Sequence, residues 1–176
     1  VTAEEGQKLG AIVVPAGKLG LATVCSVVIN GVLLKAGIPI ESKFGGVLEV
    51  RDRKPRRFVA IIQYAGTSLD PSEQYIRARM TSVGEAARTG NGKILANFRE
   101  LPSPSRAAAR EVIESLRQAG INGVFALGNT SEPVCQIALG LNRGGMVLLG
   151  GLNPVAAACE AGIKIENIGE SGMVQF

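Results

Sequence analysis

The feature that most constrains this chain is the tripeptide Ala-Gly-Ile, which ends three segments with a helical pattern. It occurs at residues 36–38, 119–121 and 161–163. Glycine just past a helix end takes up the left-handed backbone that closes the last turn, and the β-branched residue after it suits a strand. The sequence therefore predicts three helices that each lead directly into a strand.

Two of these junctions continue alike, which indicates an internal repeat. Residues 38–42 (Ile-Pro-Ile-Glu-Ser) precede the strand-like run 46–50, and residues 163–167 (Ile-Lys-Ile-Glu-Asn) precede the similar run 172–176. The repeating unit is strand, helix, strand, strand. Helix-Gly-Ile-strand is also a common arrangement in α/β folds, so the repeat implies no shared function. The second copy reaches the last residue, and we expect the chain to be cut from a longer protein.

The remaining pattern predicts the other elements of a mixed fold. Short apolar runs predict strands, and stretches of helical period with Pro or capping residues at their starts predict helices. The predicted strands are 10–14, 46–50, 58–64, 93–99, 124–127 and 145–149. The predicted helices are 19–36, 71–79 (capped by Asp70), 103–119 and 154–161 (capped by Asn153). This order predicts an α/β (mixed α+β) fold with mixed sheets and packed helices.

Length and composition limit the organisation and the chemistry. The 176 residues suffice for one domain, or for two lobes at about 1–90 and 91–176. Histidine is absent, which excludes Ser-His-Asp and Cys-His nucleophile systems. The three cysteines lack metal spacing and suit a reducing compartment. There is no targeting segment at the start and no apolar run long enough for a membrane span, so we expect a cytoplasmic protein without a metal.

The predicted helix over residues 19–36 holds the first candidate binding residues. It is apolar almost all round, which predicts burial on most sides. Thr23, Ser26 and Asn30 are three and four residues apart and would share one face, with Cys25 beside them. Buried hydroxyl and amide groups need hydrogen-bond partners. A polar ligand, a neighbouring backbone segment or another subunit can supply them.

Three glycine-containing junctions before predicted helices are the second candidate. They lie at residues 15–20, 66–71 and 150–154. Helix N-termini expose free N–H groups that favour anions, and Thr67 and Ser68 can add hydroxyl donors. None of the junctions matches a nucleotide-binding loop. A carboxylate ligand fits this pattern, and ordinary helix capping is the alternative.

A strand and a hairpin turn supply the remaining polar features. Asn97 and Arg99 lie near the end of a predicted strand, where Arg99 can hold a carboxylate through two hydrogen bonds or pair with Glu100 or another surface acid. Residues 51–57 include five basic residues, in a chain of net charge +4. Such a turn can touch nucleic-acid phosphates, but it lacks interleaved aromatics and a recognition helix, which favours a solvated turn.

Several of these motifs resemble the regulatory domain of the archaeal nitrogen-responsive transcriptional repressor family, the NrpR family. The likeness runs from about Lys8 to Gly172, nearly the whole chain. The segments that carry it are 20–26, 30–39, 44–46, 64–71, 80–83, 92–100 and 150–154.

The resemblance implies a regulatory domain of a repressor of nitrogen-assimilation genes. Such a domain would sense 2-oxoglutarate, which is an effector and not a cofactor, and would form homodimers. Operator DNA would be bound by a winged-helix domain of the parent protein, and this sequence has no winged-helix segment. The polar residues within the matching motifs are our candidate ligand-binding residues: Thr23, Cys25, Ser26, Asn30, Thr67, Ser68, Asn97 and Arg99.

Two other functions remain open from the residues alone. The first is a dimerisation module that senses no ligand. The second is an enzyme that acts on a small keto acid through Lys18, Lys35 or Cys25, since these are reactive groups that need no histidine. The resemblance favours a regulatory domain without catalytic residues.

Overall fold

The computed structural model describes residues 1–167 of the chain. Four two-residue strands precede the first helix, and a five-stranded sheet with four further helices follows. The elements are β1 Thr2–Ala3, β2 Lys8–Leu9, β3 Ile12–Val13, β4 Gly20–Leu21, α1 Ser26–Lys35, β5 Glu41–Arg51, β6 Lys54–Gln63, α2 Pro71–Arg77, α3 Val83–Thr89, β7 Gly92–Pro102, α4 Arg106–Gln118 (after a 3-10 turn at Ser103–Ser105), β8 Val124–Thr130, β9 Arg143–Leu149 and α5 Asn153–Glu160.

The sheet has the order β6-β5-β7-β9-β8, and every neighbouring pair is antiparallel. β7 is central, with the β5–β6 hairpin on one side and the β8–β9 hairpin on the other. The succession helix, strand, strand thus occurs twice, as α1–β5–β6 and α4–β8–β9. The mixed α/β class is confirmed. The repeat partner at residues 172–176 lies outside the described residues.

Each face of the sheet is covered by a different apolar layer. On one face, α1 and α4 pack Ile29, Leu33 and Ile113 against β7 and β9, while α2 and α5 form a second cluster around Tyr75 and Leu95. The other face carries three phenylalanines. Phe44 and Phe98 stack with centroids 5.1 Å apart, and Phe58 meets Phe44 edge-on at 4.9 Å. Burial on both faces explains the nearly continuous apolar runs of the central strands.

The predicted left-handed glycine is confirmed at all three Ala-Gly-Ile helix ends, whereas a strand follows within the described residues only at the first two, beginning at Glu41 and Val124. Gly37, Gly120 and Gly162 have φ values of +77°, +84° and +81°. In each case the isoleucine N–H donates to the carbonyl five residues earlier, for example from Ile38 to Leu33 at 3.0 Å. These hydrogen bonds define the Schellman motif, which satisfies carbonyls that the helix leaves free.

The predicted helix over residues 19–36 is wrong at its start and in its burial. α1 begins at Ser26, because Gly20 and Leu21 form β4 and pair with β1. A Cβ at position 20 would lie 2.7 Å from both Leu9 and Val14, so this glycine is required by packing. α1 buries Ser26, Ile29 and Leu33, whereas its other apolar side chains are exposed.

Two further differences concern helix starts. The sequence pattern did not predict α3, a helix of seven residues that ends at the left-handed Gly90. The cap predicted at Asn153 is also wrong, because its side chain makes no capping hydrogen bond. It instead accepts from Leu95 N–H at 2.8 Å and donates to the Leu95 carbonyl at 2.9 Å. Asp70 does cap α2, accepting from Ser72 N–H at 2.7 Å.

The Schellman glycines lead to a prediction about stability. Gly120→Ala should destabilise the fold by about 1–2 kcal/mol, because alanine is strained in the left-handed region although nothing lies within 4 Å of the added Cβ. Gly31→Ala, at a helical position in α1 with equally open space, should stabilise it by about 0.5–1 kcal/mol. Urea unfolding measures both changes, and equal effects of the two substitutions would contradict the assignment.

Candidate functional site

A polar cluster interrupts the apolar face of the central strand. Leu95 and Leu101 of β7 belong to the two apolar clusters that the helices cover. Asn97 and Arg99 lie between these two leucines on the same face of the strand. Asn97 is 7% exposed and Arg99 is 3% exposed. A buried amide and a buried guanidinium are costly unless they are hydrogen bonded, so their partners define the site.

Asn97 connects the start of α1 to the residue that follows β6. Its Nδ2 donates to Ser26 Oγ at 3.1 Å, and its Oδ1 accepts from the Tyr64 hydroxyl at 2.5 Å. Ser26 is the first residue of α1 and is 7% exposed. Because Ser26 Oγ accepts from Asn97, its own hydroxyl hydrogen is available to another acceptor.

Arg99 lies against the same tyrosine and the same helix. Its guanidinium carbon is 5.2 Å from the centroid of the Tyr64 ring, which is a cation–π distance. Its Nε donates to Asn30 Oδ1 at 3.3 Å, and its Nη1 donates to the Phe98 carbonyl at 3.2 Å. Asn30 Nδ2 donates in turn to Ser42 Oγ at 3.4 Å. Side chains from α1, β5, β7 and the end of β6 therefore converge.

The charge of Arg99 has no carboxylate partner within residues 1–167, where no Asp or Glu oxygen lies within 4.0 Å of it. The neighbouring acid Glu100, which the sequence offered as an alternative partner, faces Lys43 and Arg143 instead, each at 3.9 Å. Arg99 Nη2 makes no hydrogen bond to any described residue. The cluster is thus a buried cation surrounded by neutral groups.

Two other helix starts lie close to this cluster. A Cβ on Gly45 would lie 2.8 Å from Pro71 Cβ, at the start of α2, and 3.2 Å from the Tyr64 hydroxyl. A Cβ on Gly151, just before α5, would lie 2.8 Å from the carbonyl oxygen of Val24. Glycine at both positions lets the starts of α1, α2 and α5 gather around the cluster.

Tyr75, which lies next to Gly45, remains a neutral phenol near neutral pH. Burial, with a smaller contribution from Tyr64, raises the pKa of Tyr75 to about 12. Its hydroxyl lies 3.5 Å from the Gly45 carbonyl oxygen. It therefore adds no anion that could neutralise Arg99.

The structure brings together four of the eight residues that the sequence suggested: Ser26, Asn30, Asn97 and Arg99. Thr23 and Cys25 precede α1 and are exposed, so the predicted helical stripe that included Thr23 is wrong. Thr67 and Ser68 lie in the turn before α2, where Thr67 Oγ1 accepts from Leu69 N–H at 3.1 Å. Neither makes a side-chain hydrogen bond to the cluster.

Two residues of the cluster, Tyr64 and Ser42, were not predicted from the sequence. Tyr64 opens the motif Tyr-Ala-Gly-Thr-Ser-Leu-Asp-Pro, but an aromatic residue at the end of an apolar strand also reads as core. Ser42 carries no local signal at all. Its place beside Asn30 follows from the register of β5 against β7, in which Ser42 pairs with Arg99.

Other features of the described residues do not coincide with the cluster. A cleft of about 770 Å³ lies between α2 and α5 and does not include any of the cluster's side chains. Residues 1–167 contain no group of three or more His, Cys, Asp or Glu that could hold a metal ion. In the same range, no helix has both the length and the apolar character that crossing a membrane requires.

Of the three groups considered for an enzyme, one forms an ion pair and the other two lie far apart. Lys18 pairs with Glu166. Cys25 immediately precedes the ten-residue α1, and Lys35 is its last residue. At 1.5 Å per residue, the helix separates them by about 15 Å. They therefore cannot act together on one small substrate within this chain.

Comparison with known proteins defines the class. The model for "NrpR regulatory domains NRD1 and 2" matches residues 1–176. The global nitrogen regulator NrpRI of Methanosarcina mazei is 39% identical over 162 residues, which are 92% of this chain and 50% of that protein. The global nitrogen regulator NrpR of Methanocaldococcus jannaschii is 32% identical over 159 residues, covering 90% of this chain and 27% of that protein.

A solved structure agrees with the sequence matches. The crystal structure of a nitrogen repressor-like protein from Methanococcus jannaschii superposes with a TM-score of 0.68 at 33% identity, over 82% of this chain and 60% of that one. The class is therefore a regulatory domain of a nitrogen repressor. The chain belongs to the family of NrpR regulatory domains, and it spans half or less of the length of the curated relatives described above.

The hydrogen bond between Tyr64 and Asn97 leads to a prediction. Tyr64→Phe should lower the free energy of unfolding by about 1 kcal/mol, because it leaves the Asn97 oxygen without its donor. Tyr75→Phe is the matched control and should cost less, since its hydroxyl is 3.5 Å from its acceptor. Denaturant unfolding compares the two, and a larger loss for Tyr75→Phe would contradict this account of the cluster.

Proposed function

We propose that this chain is the effector-sensing domain of a cytoplasmic repressor of nitrogen-assimilation genes and that it binds 2-oxoglutarate at the polar cluster. The observation that carries the proposal is the charge of Arg99, buried and without a carboxylate partner among residues 1–167. Membership of the NrpR regulatory-domain family supports the same function. 2-Oxoglutarate acts here as an effector, and no cofactor is required.

A dicarboxylate suits this cluster for electrostatic reasons. A buried cation is stabilised most strongly by an anion that accepts its remaining N–H groups, and carboxylate–arginine pairs are short and strong. Arg99 Nη2 and the Ser26 hydroxyl are donors without acceptors among the described residues. 2-Oxoglutarate presents only acceptor oxygens, so it complements a cluster of donors. Thr67 and Ser68, in the turn that follows Tyr64, remain predicted donors to the second carboxylate.

We also propose that the domain forms a homodimer through the outer face of α1. The exposed fractions of Val27, Val28, Val32 and Leu34 are 61%, 42%, 37% and 55%. On a helical wheel these four side chains share one broad face with Gly31, and the exposed Lys35 lies on the same face at the C-terminal end of the helix. A contiguous apolar face of this kind marks an interaction surface. A second copy of the chain fits it, because two such apolar faces complement each other, with Lys35 at the edge where its charge can stay in water.

DNA binding belongs, in this proposal, to another part of the parent protein. The relatives are named as nitrogen regulators, and this chain covers half or less of their length. A winged-helix domain in the parent would contact operator DNA, and effector binding here would regulate it. A regulator of this kind needs no catalytic group, which agrees with the separation of Cys25 and Lys35.

Effector binding is tested by calorimetry and by thermal unfolding. At a hundredfold excess over the dissociation constant, 2-oxoglutarate should stabilise the fold by about 2.7 kcal/mol. For a domain of this length, that corresponds to roughly 5–10 °C in Tm. Succinate should stabilise less, because it lacks the keto oxygen. Arg99→Met should abolish most of the shift.

Arg106→Met is the matched control for Arg99→Met. Arg106 is also partly buried and donates to the Gly128 carbonyl and to Asn129, outside the cluster. Its replacement should leave the response to 2-oxoglutarate intact. A well-folded chain that binds no 2-oxoglutarate would refute the sensing proposal and leave the dimerisation module as the better explanation.

The dimer face is tested by replacing its apolar side chains. The double substitution Val27→Ser and Val32→Ser should weaken self-association at least about tenfold, because central apolar contacts contribute more than about 1.4 kcal/mol to an interface. Leu141→Ser, at an 89% exposed leucine in the β8–β9 loop, should have no effect. Sedimentation velocity measures both, and a wild-type chain that stays monomeric would refute the proposal.

A further inference from the structure

The helix α1 carries both proposed surfaces on its two sides. Its inner side presents Ser26 to Asn97 and Asn30 to Arg99. Its outer side is the exposed apolar face that we assign to a second copy. The buried residues of α1 are Ser26, Ile29 and Leu33: the two apolar side chains anchor the helix in the core, and the two polar ties fix the polar side of the helix against β7.

The hydrogen bonds of Arg99 decide where a carboxylate can bind. A guanidinium binds a carboxylate with two adjacent N–H groups, either Nη1 with Nη2 or Nε with Nη2. Nη1 already donates to the Phe98 carbonyl at 3.2 Å. Among residues 1–167, the Nε–Nη2 edge is opposed only by Asn30 Oδ1, at 3.3 Å from Nε. A charged carboxylate is a stronger acceptor than a neutral amide at that distance and displaces it.

From this geometry we infer that a carboxylate bound at Arg99 releases Asn30 and thereby weakens self-association through α1. The inference rests on the proposed function and adds that effector binding regulates dimerisation. Once Asn30 loses Arg99, only the 3.4 Å hydrogen bond to Ser42 and the tie from Ser26 to Asn97 remain on the polar side of α1. The outer face of α1 is then less fixed, and forming the dimer must order it again.

The coupling is reciprocal. If the effector weakens the dimer by a given factor, dimerisation weakens effector binding by the same factor. The affinity for 2-oxoglutarate should therefore fall as the protein concentration rises through the dimer dissociation constant. This concentration dependence distinguishes linkage from a simple loss of folded protein.

The experiment measures the dimer dissociation constant of the 176-residue chain by sedimentation velocity, with and without saturating 2-oxoglutarate. Calorimetry on the same samples measures effector binding. We expect 2-oxoglutarate to raise the dimer dissociation constant by about fivefold or more. An unchanged or lowered constant with demonstrated binding overturns the inference and leaves the proposed function standing. A chain that binds no 2-oxoglutarate overturns both.

Asn30→Ala separates binding from coupling. It removes the tie to Arg99 and leaves the Nε–Nη2 edge open, so 2-oxoglutarate should bind at least as tightly as in the wild type. The dimer should already be weakened without effector and should not respond further. Asn129→Ala, which removes another asparagine–arginine hydrogen bond (2.7 Å, to Arg106), is the matched control and should keep the full response.

For Asn30→Asp we expect the opposite effects on effector binding and on the dimer. This test remains available if the alanine variant does not fold. Its carboxylate would occupy the Nε–Nη2 edge and keep α1 tied to Arg99. This variant should lose 2-oxoglutarate binding and keep a dimer at least as strong as that of the wild type, with or without effector. If Asn30→Asp dimerises more weakly than the wild type, or Asn30→Ala keeps the effector response, the inference is wrong.

Discussion

The antiparallel ladder between β5 and β7 is the interaction on which the other elements depend. The two strands are eleven residues each, and β7 pairs with β9 along its other edge. The helices pack on one face of this ladder, and the phenylalanine layer with α3 and the β8–β9 loop packs on the other. The middle of β7, from Ala96 to Arg99, is therefore buried on both faces and paired along both edges, and a polar side chain placed there depends on the neighbouring elements for hydrogen bonds.

This enclosure gives Asn97 and Arg99 their importance. On an edge strand the same residues would be solvated and would cost little. On β7 they must be satisfied by the elements that cover them, and their partners come from α1 and from the residue after β6. The hydrogen-bonding capacity of Asn97 is matched at both ends of its amide, whereas Arg99 has only neutral acceptors and an aromatic ring among the described residues. A fully neutralised salt bridge in the same place would leave no electrostatic reason for a ligand to enter.

The helix α1 connects this buried cluster with the surface. It is short, and its outer side exposes valines and a leucine that a lone domain would ordinarily bury. The starts of α5 and α2 can approach the cluster because residues 151 and 45 are glycines. Gly151 lies against the residues just before α1, and Gly45 lies against Pro71 and Tyr64. The same few residues thus set both the position of the buried cation and the orientation of the exposed face. In the proposed dimer, a change in charge at Arg99 would reach the second subunit through α1 without any large rearrangement of the sheet.

The sequence by itself determined the features that depend on local chemistry. The Ala-Gly-Ile helix ends, the Asp70 cap and the central strands follow from backbone preference and apolar runs, which need no distant partner. The local sequence pattern predicted the wrong structure where distant contacts determine the conformation. Residues 20–25 are not helical, because β1 pairs with β4. Arg99 and Asn97 could be named from their residue types, but Tyr64 and Ser42 could not, since strand pairing and the packing of three helices bring them there. Only the tertiary structure placed Arg99 in a buried position away from every carboxylate of residues 1–167, because exposure to water is a property of the whole fold.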